Sequence, residues 1–462
     1  MRYILNEQYC LCGYKNLPFA LYNKVTGKTN FFTREEYSLL LDCDGQTDIS
    51  VKDLNDKDKE IFRSFVEGGL VRISDKESLD PDQEYHQYDV YRRDGIQFSI
   101  TGRCNYRCKH CFMSAPHARY DEMSLDDCIT VIRKLKECGI RVIQLTGGEP
   151  LAHPDFKKIV EEISRQGLHL QMLYTNGLLL KQDILDLFKK LHQNPKIQIS
   201  FDGLGYHDWM RGVKNAEKYA VDALKLCVKN GFECEAAMVI FKDNIDSLAD
   251  TVRFLDGLGV SMVRVSNVYN QGEWLAYADE HGLSVEEVFD KYLEYIPVYL
   301  KDDLKISISL GGFFRYDAKE KKAMSTFENR CTEDNKDKYV LCKSIRQAFY
   351  ISSTGFVLPC TSMLSTRVED NALNMLEHDL KDIINDSYLY EIGNLKAKDF
   401  LEKNKKCNEC KYRYQCLGGC RARALILQDD MFGNDSDVCT YFLDGFKEKK
   451  DRLLDELHVE RY

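Results

Sequence analysis

Within eight residues the chain places three thiols, in the run Cys104-Asn105-Tyr106-Arg107-Cys108-Lys109-His110-Cys111. Soft thiolates at this C-x3-C-x2-C spacing can ligate three corners of a cubane iron–sulfur cluster. A [4Fe–4S] cube has four irons, so three ligands leave one iron open to bind a small molecule and pass it an electron. A zinc ion would want a fourth ligand nearby. His110 adjoins Cys111, which makes joint ligation of one ion awkward. The neighbours Arg103, Arg107 and Lys109 argue against a buried apolar strand. The chemistry expected of this loop is one-electron redox chemistry.

Three further groups follow strand-like runs. Thr146-Gly147-Gly148-Glu149-Pro150 comes directly after an apolar run at 142–145. Paired glycines let backbone approach a ligand closely, and Glu149 can pair with a cationic amine. Ser200-Phe201-Asp202-Gly203 ends another run, with Arg211-Gly212 downstream, and Tyr174-Thr175-Asn176-Gly177 ends a third. Near the C-terminus, Cys342, Cys360, Cys407, Cys410, Cys416, Cys420 and Cys439 form an ordered series, and Cys331 precedes them. C-x2-C pairs also bind zinc, so the residues alone leave both metals open. Cys10, Cys12, Cys43, Cys128, Cys138, Cys227 and Cys234 sit mostly in apolar contexts and are expected to be small buried hydrophobes.

The first loop resembles the signature of the radical S-adenosylmethionine (SAM) enzymes. That resemblance implies that SAM chelates the open iron and that one electron splits its C5′–S bond. Methionine and a 5′-deoxyadenosyl radical result, and the radical takes a hydrogen atom from the substrate. By the same resemblance Gly147, Gly148, Glu149 and Pro150 form the motif for SAM's amino group. Ser200 and Arg211 would hold its carboxylate or ribose, Asn176 would line the pocket, and His110 would pack near adenine. The later cysteines resemble the SPASM domain, which implies two auxiliary [4Fe–4S] clusters. Cys342, Cys360 and Cys420 would hold one, with Cys331 a candidate fourth ligand. Cys407, Cys410, Cys416 and Cys439 would hold the other. The cofactors implied are SAM and three [4Fe–4S] clusters, fed by a low-potential donor such as flavodoxin or ferredoxin. Sulfatase-maturing relatives carry an aspartate base where this chain has Thr361, so no catalytic base is singled out.

The elements that position these groups alternate from 97 to about 311. Strand-like runs at 97–101, 142–145, 168–174, 197–201, 235–241 and 262–268 are separated by helical ones, and a last run lies at 306–310. Ser124, with Asp127 three residues on, is a plausible N-cap, and Pro154 opens a helix. Near-continuous apolar strands of this kind argue for a parallel sheet covered by helices. The expected fold is α/β: a partial (β/α)6 barrel at 91–312, a winged-helix-like module at 1–90 and a cysteine-rich iron–sulfur domain at 313–462. Sites in such sheets lie at the strand C-terminal ends, where the first cysteine loop begins. The C-terminal region is weakly periodic and is expected to rely on metal clusters in place of a large apolar core.

In residues 1–90 two strands, at 20–24 and 30–32, flank Val25-Thr26-Gly27-Lys28, a hairpin signal. A helix at 33–41 carries Thr33 and Glu36 as a capping box. A second helix spans 55–68, a strand lies at 70–73, and an acidic linker follows at 75–84. The module resembles the RiPP recognition element, a PqqD-like winged helix. This implies that a precursor's leader peptide binds as an added strand beside 30–32 and the helix at 33–41.

Composition sets outer bounds. A net charge of −10 argues against nucleic-acid binding through a basic face. No secretory signal and no membrane span are read, so a cytoplasmic protein is expected. Eighteen cysteines in a reducing compartment are not a disulfide framework. The expected function is a radical SAM maturase of a ribosomally made peptide, installing a crosslink, with a cysteine thioether the first choice. A carbon–carbon or carbon–oxygen crosslink, epimerisation and sulfatase maturation are the alternatives.

Overall fold

The computed structural model describes residues 1–462 apart from 76, 118–120 and 365. A twelve-stranded sheet forms its centre. Eight neighbours in that sheet run parallel, in the order Ala348–Ile351, Gly95–Ser99, Val142–Thr146, His169–Thr175, Lys196–Ser200, Cys234–Ile240, Met262–Asn267 and Ser307–Leu310. Antiparallel partners extend both edges, Val357–Leu358 at one and Phe314–Asp317 at the other. Six of the eight are the expected barrel strands, and Ser307–Leu310 is the expected last run. Ala348–Ile351 is an addition from the cysteine-rich region. A four-residue strand is too short to show a period, and its partner Gly95–Ser99 lies some 250 residues away in sequence.

Alternation along the strands separates two faces. Ile96, Phe98, Ile143, Leu145, Leu173, Ile197 and Ile199 are fully buried. The intervening Gln97, Gln144, Tyr174 and Gln198 are only partly buried, so the other face of the sheet is polar. Helices cover the apolar face. Leu125–Glu137 starts at Ser124, whose side chain accepts the Asp127 N–H. The next helix, Phe156–Arg165, starts two residues after Pro154, because Pro150–Ala152 forms a separate 3-10 turn first.

The N-terminal module holds two sheets. One is ordered Asp44–Asp48, Arg2–Leu5, Val71–Ile73. The other is ordered Thr29–Phe31, Leu17–Asn23, Tyr9–Tyr14, His86–Tyr88. The hairpin and both helices, Arg34–Leu41 and Asp56–Glu67, lie where the sequence places them, with the Thr33/Glu36 capping box formed. The stretch 75–84 is more than a linker. Gln83 is buried and its amide donates to the carbonyls of Asn6 and Tyr9. Asp82 pairs with Lys136 at 3.2 Å and Arg141 at 3.6 Å. Partners on other elements, rather than water, satisfy these polar residues. The module is also fused to the barrel, since Tyr14 Oη donates to the Gly139 carbonyl at 2.8 Å and Tyr22 Oη to that of Arg141 at 3.1 Å.

The C-terminal region differs from expectation in having an apolar core of its own. Ile345, Tyr350, Leu358, Met363, Leu364 and Val368 cluster there. Its helices are mostly four to eight residues long, too short for a periodic pattern to show. The seven cysteines outside the candidate sites are all buried, Cys138 at 7% being the most exposed.

Candidate functional site

The loop 104–111 leaves the C-terminal end of Gly95–Ser99 and is clamped from two sides. Gly148 N–H donates to the Thr101 carbonyl at 2.7 Å and Glu149 N–H to that of Arg103 at 2.9 Å. Arg107 and Lys109 N–H donate to the carbonyls of Arg211 and Met210. The paired glycines are required by this first contact. A Cβ at Gly147 would lie 2.5 Å from the Thr101 carbonyl oxygen, and one at Gly148 2.2 Å from that of Arg103. The backbone they approach is that of the cysteine loop itself.

The thiols of Cys104, Cys108 and Cys111 are half-buried and close enough to raise one another's pKa, with burial the larger cause. Burial pushes Cys104 up to about 12. Arg211 Nη1 lies 3.8 Å from Cys108 Sγ. The rest of that guanidinium is bound to Asp202, at 2.6 and 3.0 Å. Asp202 is fully buried, also accepts the Val239 N–H, and is held well below the usual carboxylate range chiefly by Arg211. Arg211 is therefore a buried, paired cation beside the thiols. Asn176 is likewise committed, its amide donating to Asn105 Oδ1 at 2.7 Å.

Glu149 is the opposite case. It is 1% exposed and accepts from the Asn176 N–H at 2.7 Å, Thr175 Oγ1 at 2.8 Å and the Leu151 N–H at 3.1 Å. No cationic side chain lies within ion-pair distance among the described residues, and burial pushes its carboxyl up to about 7. Nearby, Tyr106 Oη and His110 Nε2 are buried without a hydrogen-bond partner. Burial, with Arg211 adding to it, lowers His110 to about 4, so its ring is neutral. Ser200 ends Lys196–Ser200 partly exposed. A buried carboxylate lacking a cation, two orphaned polar atoms and three adjacent thiols fit an iron–sulfur cluster with a cationic amino acid ligand. Tyr106 was missed from sequence, although it stands inside the cysteine motif.

The C-terminal cysteines fall into two sets. Cys342, Cys360 and Cys420 act on one another electrostatically. Each is the N-cap residue of a short helical segment: Lys343–Gln347, Thr361–Met363 and Arg421–Gln428. Backbone N–H groups of Ser362, Met363, Ala422 and Arg423 point at the Cys360 and Cys420 sulfurs, an arrangement that favours thiolate. Cys407, Cys410, Cys416 and Cys439 form the second set. Arg421, buried and missed from sequence, lies between the sets and is felt by Cys420, Cys407 and Cys416. Cys331 is buried near them. Its thiol donates to the Thr332 carbonyl, it packs in an apolar cluster with Leu341, Phe400 and Cys407, and its charged neighbours are Glu333 and Lys336. Among the described residues no three His, Cys, Asp or Glu side chains lie close enough to hold a single metal ion.

Cys111, Phe112, Cys342 and Cys360 all pack against one apolar cluster, which links the first loop to the first C-terminal set. Thr361 sends its hydroxyl to the carboxamide of Gln97 on the first barrel strand. The network continues from Gln97 Nε2 to Tyr174 Oη at 3.3 Å and from Tyr174 Oη to Gln144 Oε1 at 2.8 Å. Arg264 Nε pairs with buried Glu235 at 2.7 Å on the neighbouring strands. A cavity of about 910 Å³ opens beside Cys342 and Cys420, lined also by Tyr269, Gly312, Met324 and Arg423.

Residues 98–255 match the Radical SAM superfamily, and residues 342–411 match SPASM, an iron–sulfur cluster-binding domain. The barrel carries a radical SAM domain. These two matches support SAM and iron–sulfur clusters as the cofactors. The chain is 24% identical over 331 residues to the antilisterial bacteriocin subtilosin biosynthesis protein AlbA of Bacillus subtilis, covering 71% of this chain and 67% of that protein. It is 25% identical over 356 residues to the PqqA peptide cyclase of Bradyrhizobium diazoefficiens, covering 74% and 84%. Its fold is similar to that of Streptococcus suis SuiB bound to the precursor peptide SuiA, with a TM-score of 0.65, 17% identity and coverage of 95% and 99%. No helix among the described residues is long and apolar enough to cross a membrane.

Proposed function

We propose that this radical SAM enzyme matures a ribosomally made precursor peptide, whose leader adds a strand to the N-terminal module while its core enters the barrel. The observation that carries the reading is the open edge of Thr29–Phe31, which pairs on one side only, with Leu17–Asn23. The bonds Asn23 N–H to Lys28 O and Phe32 N–H to Phe19 O set the antiparallel alternation. Asn30 therefore faces its partner strand, and Thr29 and Phe31 turn their N–H and C=O outward. The Phe31 ring is 46% exposed beside the helix Arg34–Leu41. The similarity to AlbA, a bacteriocin biosynthesis protein, to the PqqA peptide cyclase and to SuiB bound to the precursor peptide SuiA supports the same substrate class.

When bound, SAM and its cluster supply a radical able to take a hydrogen atom from carbon. Glu149 offers its unpaired carboxylate to the amino group of SAM, Ser200 offers a hydroxyl, and Tyr106 and His110 turn buried polar atoms toward the same region. Three [4Fe–4S] clusters are proposed, on Cys104/Cys108/Cys111, Cys342/Cys360/Cys420 and Cys407/Cys410/Cys416/Cys439. Cys331, whose thiol donates to the Thr332 carbonyl, is left out of the middle set, and that set would then keep a position for a substrate thiolate beside the cavity. This favours a cysteine thioether as the crosslink. Thr361, hydrogen-bonded to Gln97, offers no carboxylate base, which speaks against sulfatase maturation. A low-potential donor, flavodoxin or ferredoxin, is the proposed partner.

The test is mass spectrometry of the short precursor encoded beside the gene after reaction with reconstituted enzyme. A crosslink removes two hydrogens, one to 5′-deoxyadenosine and one as a proton plus an electron. Trypsin-resistant loss of two mass units together with loss of one free thiol is expected. An unchanged mass with an inverted stereocentre would replace crosslinking by epimerisation. Continued formation of 5′-deoxyadenosine by the triple variant C104A/C108A/C111A would remove the radical reading itself.

A further inference from the structure

We propose that Lys403, Lys405, Lys406 and Lys411 form the docking face for an acidic one-electron carrier protein, seated over the Cys407/Cys410/Cys416/Cys439 set. This rests on the reading of that set as a cluster site. One electron would cross the face, from the reduced carrier to the protein, with no atom transferred.

The face is built against the trend of the molecule. The chain carries a net charge of −10, yet residues 396–413 hold seven Lys or Arg against three Asp or Glu. Lys403, Lys405, Lys406 and Lys411 are exposed. Some lysines elsewhere are neutralised by carboxylates, as Lys157 is by Asp183 and Lys196 by Glu233, both at 2.6 Å. Among the described residues none of these four has one within ion-pair distance. Aromatic rings steady two of them: Lys403 lies over Phe432 at 4.1 Å and Lys411 over Tyr412 at 4.6 Å. Such contacts fix an ammonium without neutralising it.

The position is tied to the thiols. Asn404 caps Lys405–Asn408 by accepting the Cys407 N–H at 2.9 Å, so Lys405 and Lys406 directly precede a ligand. Lys406 is close enough to act on both Cys407 and Cys439, and Lys411 on Cys410. Cys410 and Cys439 are half-exposed, as are Cys342 and Cys360, and Cys420 is exposed. Both sets reach solvent, and the Cys407 set does so beneath a positive face. An acidic protein is repelled by the rest of this surface and drawn to this part of it, which raises association rate and fixes orientation. Glu402 and Glu409 keep the patch small, of the size for a globular partner rather than a nucleic-acid track.

The experiment titrates oxidised flavodoxin, and separately a plant-type ferredoxin, into reconstituted holoenzyme by calorimetry at low and high salt. Wild type is expected to bind, more weakly at high salt. K405E/K406E should weaken binding at least about tenfold and flatten the salt dependence, with K405Q/K406Q intermediate. Iron and sulfide content and dithionite-driven 5′-deoxyadenosine formation should stay at the wild-type level in both. R103E/R107E, on the exposed first cysteine loop, should bind like wild type. Unchanged binding by K405E/K406E, loss confined to R103E/R107E, displacement of the carrier by DNA or anionic vesicles, or no binding of either carrier by wild type would each overturn the proposal. A C407A/C410A variant with full iron content would instead overturn the cluster reading beneath it, whatever the lysines do.

Discussion

Glu149 and Asp202 are both buried carboxylates of the candidate site, and their environments push them in opposite directions. Asp202 is held ionised by Arg211, and its removal strands a buried guanidinium. Replacing Asp202 by alanine is expected to cost about 3–5 kcal/mol, read as a lowered Tm of the apoprotein by scanning calorimetry. Glu149 has three donors and no cation, and its carboxyl sits near 7 against an ordinary 4.5. The folded apoprotein therefore holds a proton that the unfolded chain releases. The stabilisation this confers is complete below about 4.5 and is lost as pH rises through about 7, an effect of up to about 3 kcal/mol. Wild-type apoprotein should lose stability between pH 5 and 8 in chemical denaturation. Glu149→Gln should flatten that decline, and an equal decline in the variant would assign it to another group.

At the scale of elements, short turns do more than long helices. The Gly147-Gly148 turn lies against the backbone that opens the cysteine loop, and nothing flexible stands in the way to yield. Gly148→Ala places a methyl 2.2 Å from the Arg103 oxygen, so the loop must shift. Overpacking of this kind costs about 1–3 kcal/mol. The expected signature is iron lost at the first site, with 5′-deoxyadenosine per enzyme falling at least tenfold while the auxiliary iron remains. The edge strand can be tested as sharply. Phe31→Pro removes an N–H that points to the open side and leaves the ladder to Leu17–Asn23 intact. Anisotropy of a labelled leader should report binding at least about tenfold weaker, with Phe31→Ala milder; equal losses would assign the effect to the ring instead.

For the whole molecule, the N-terminal module and the barrel are one packed body. Tyr14, Tyr22, Cys10, Cys12 and Tyr88 belong to the same apolar core as the barrel helices, and Arg141 ties Asp82 and Tyr22 to the sheet. Deleting residues 1–90 should therefore uncover apolar surface, seen as increased binding of an apolar dye and a lower Tm, rather than yield a fully stable barrel lacking only leader affinity. A truncated protein with wild-type Tm would show the module to be an independent appendage. The same continuity brings Ala348–Ile351 into the barrel sheet, so a strand between Cys342 and Cys360 lies beside the strand that precedes Cys104.

Much of this was legible in residues whose roles are local. Three thiols in eight residues, the Ser124 and Thr33 caps, and the apolar runs of the barrel strands depend on neighbours a few positions away, and short-range spacing records them. Interactions between distant segments leave no such record. That Arg211 is neutralised by Asp202, that Glu149 lacks a cation, that Cys331 packs with Phe400 and Cys407, and that Ala348–Ile351 joins Gly95–Ser99 were all decided by packing. Burial turns a charge into either half of an ion pair or an empty binding position, and only the tertiary structure says which charges meet. The sequence by itself determined that the chain would gather thiols around a parallel sheet. The fold determined which thiols lie together, which polar atoms are left waiting for a ligand, and which lysines gather beside the Cys407 set.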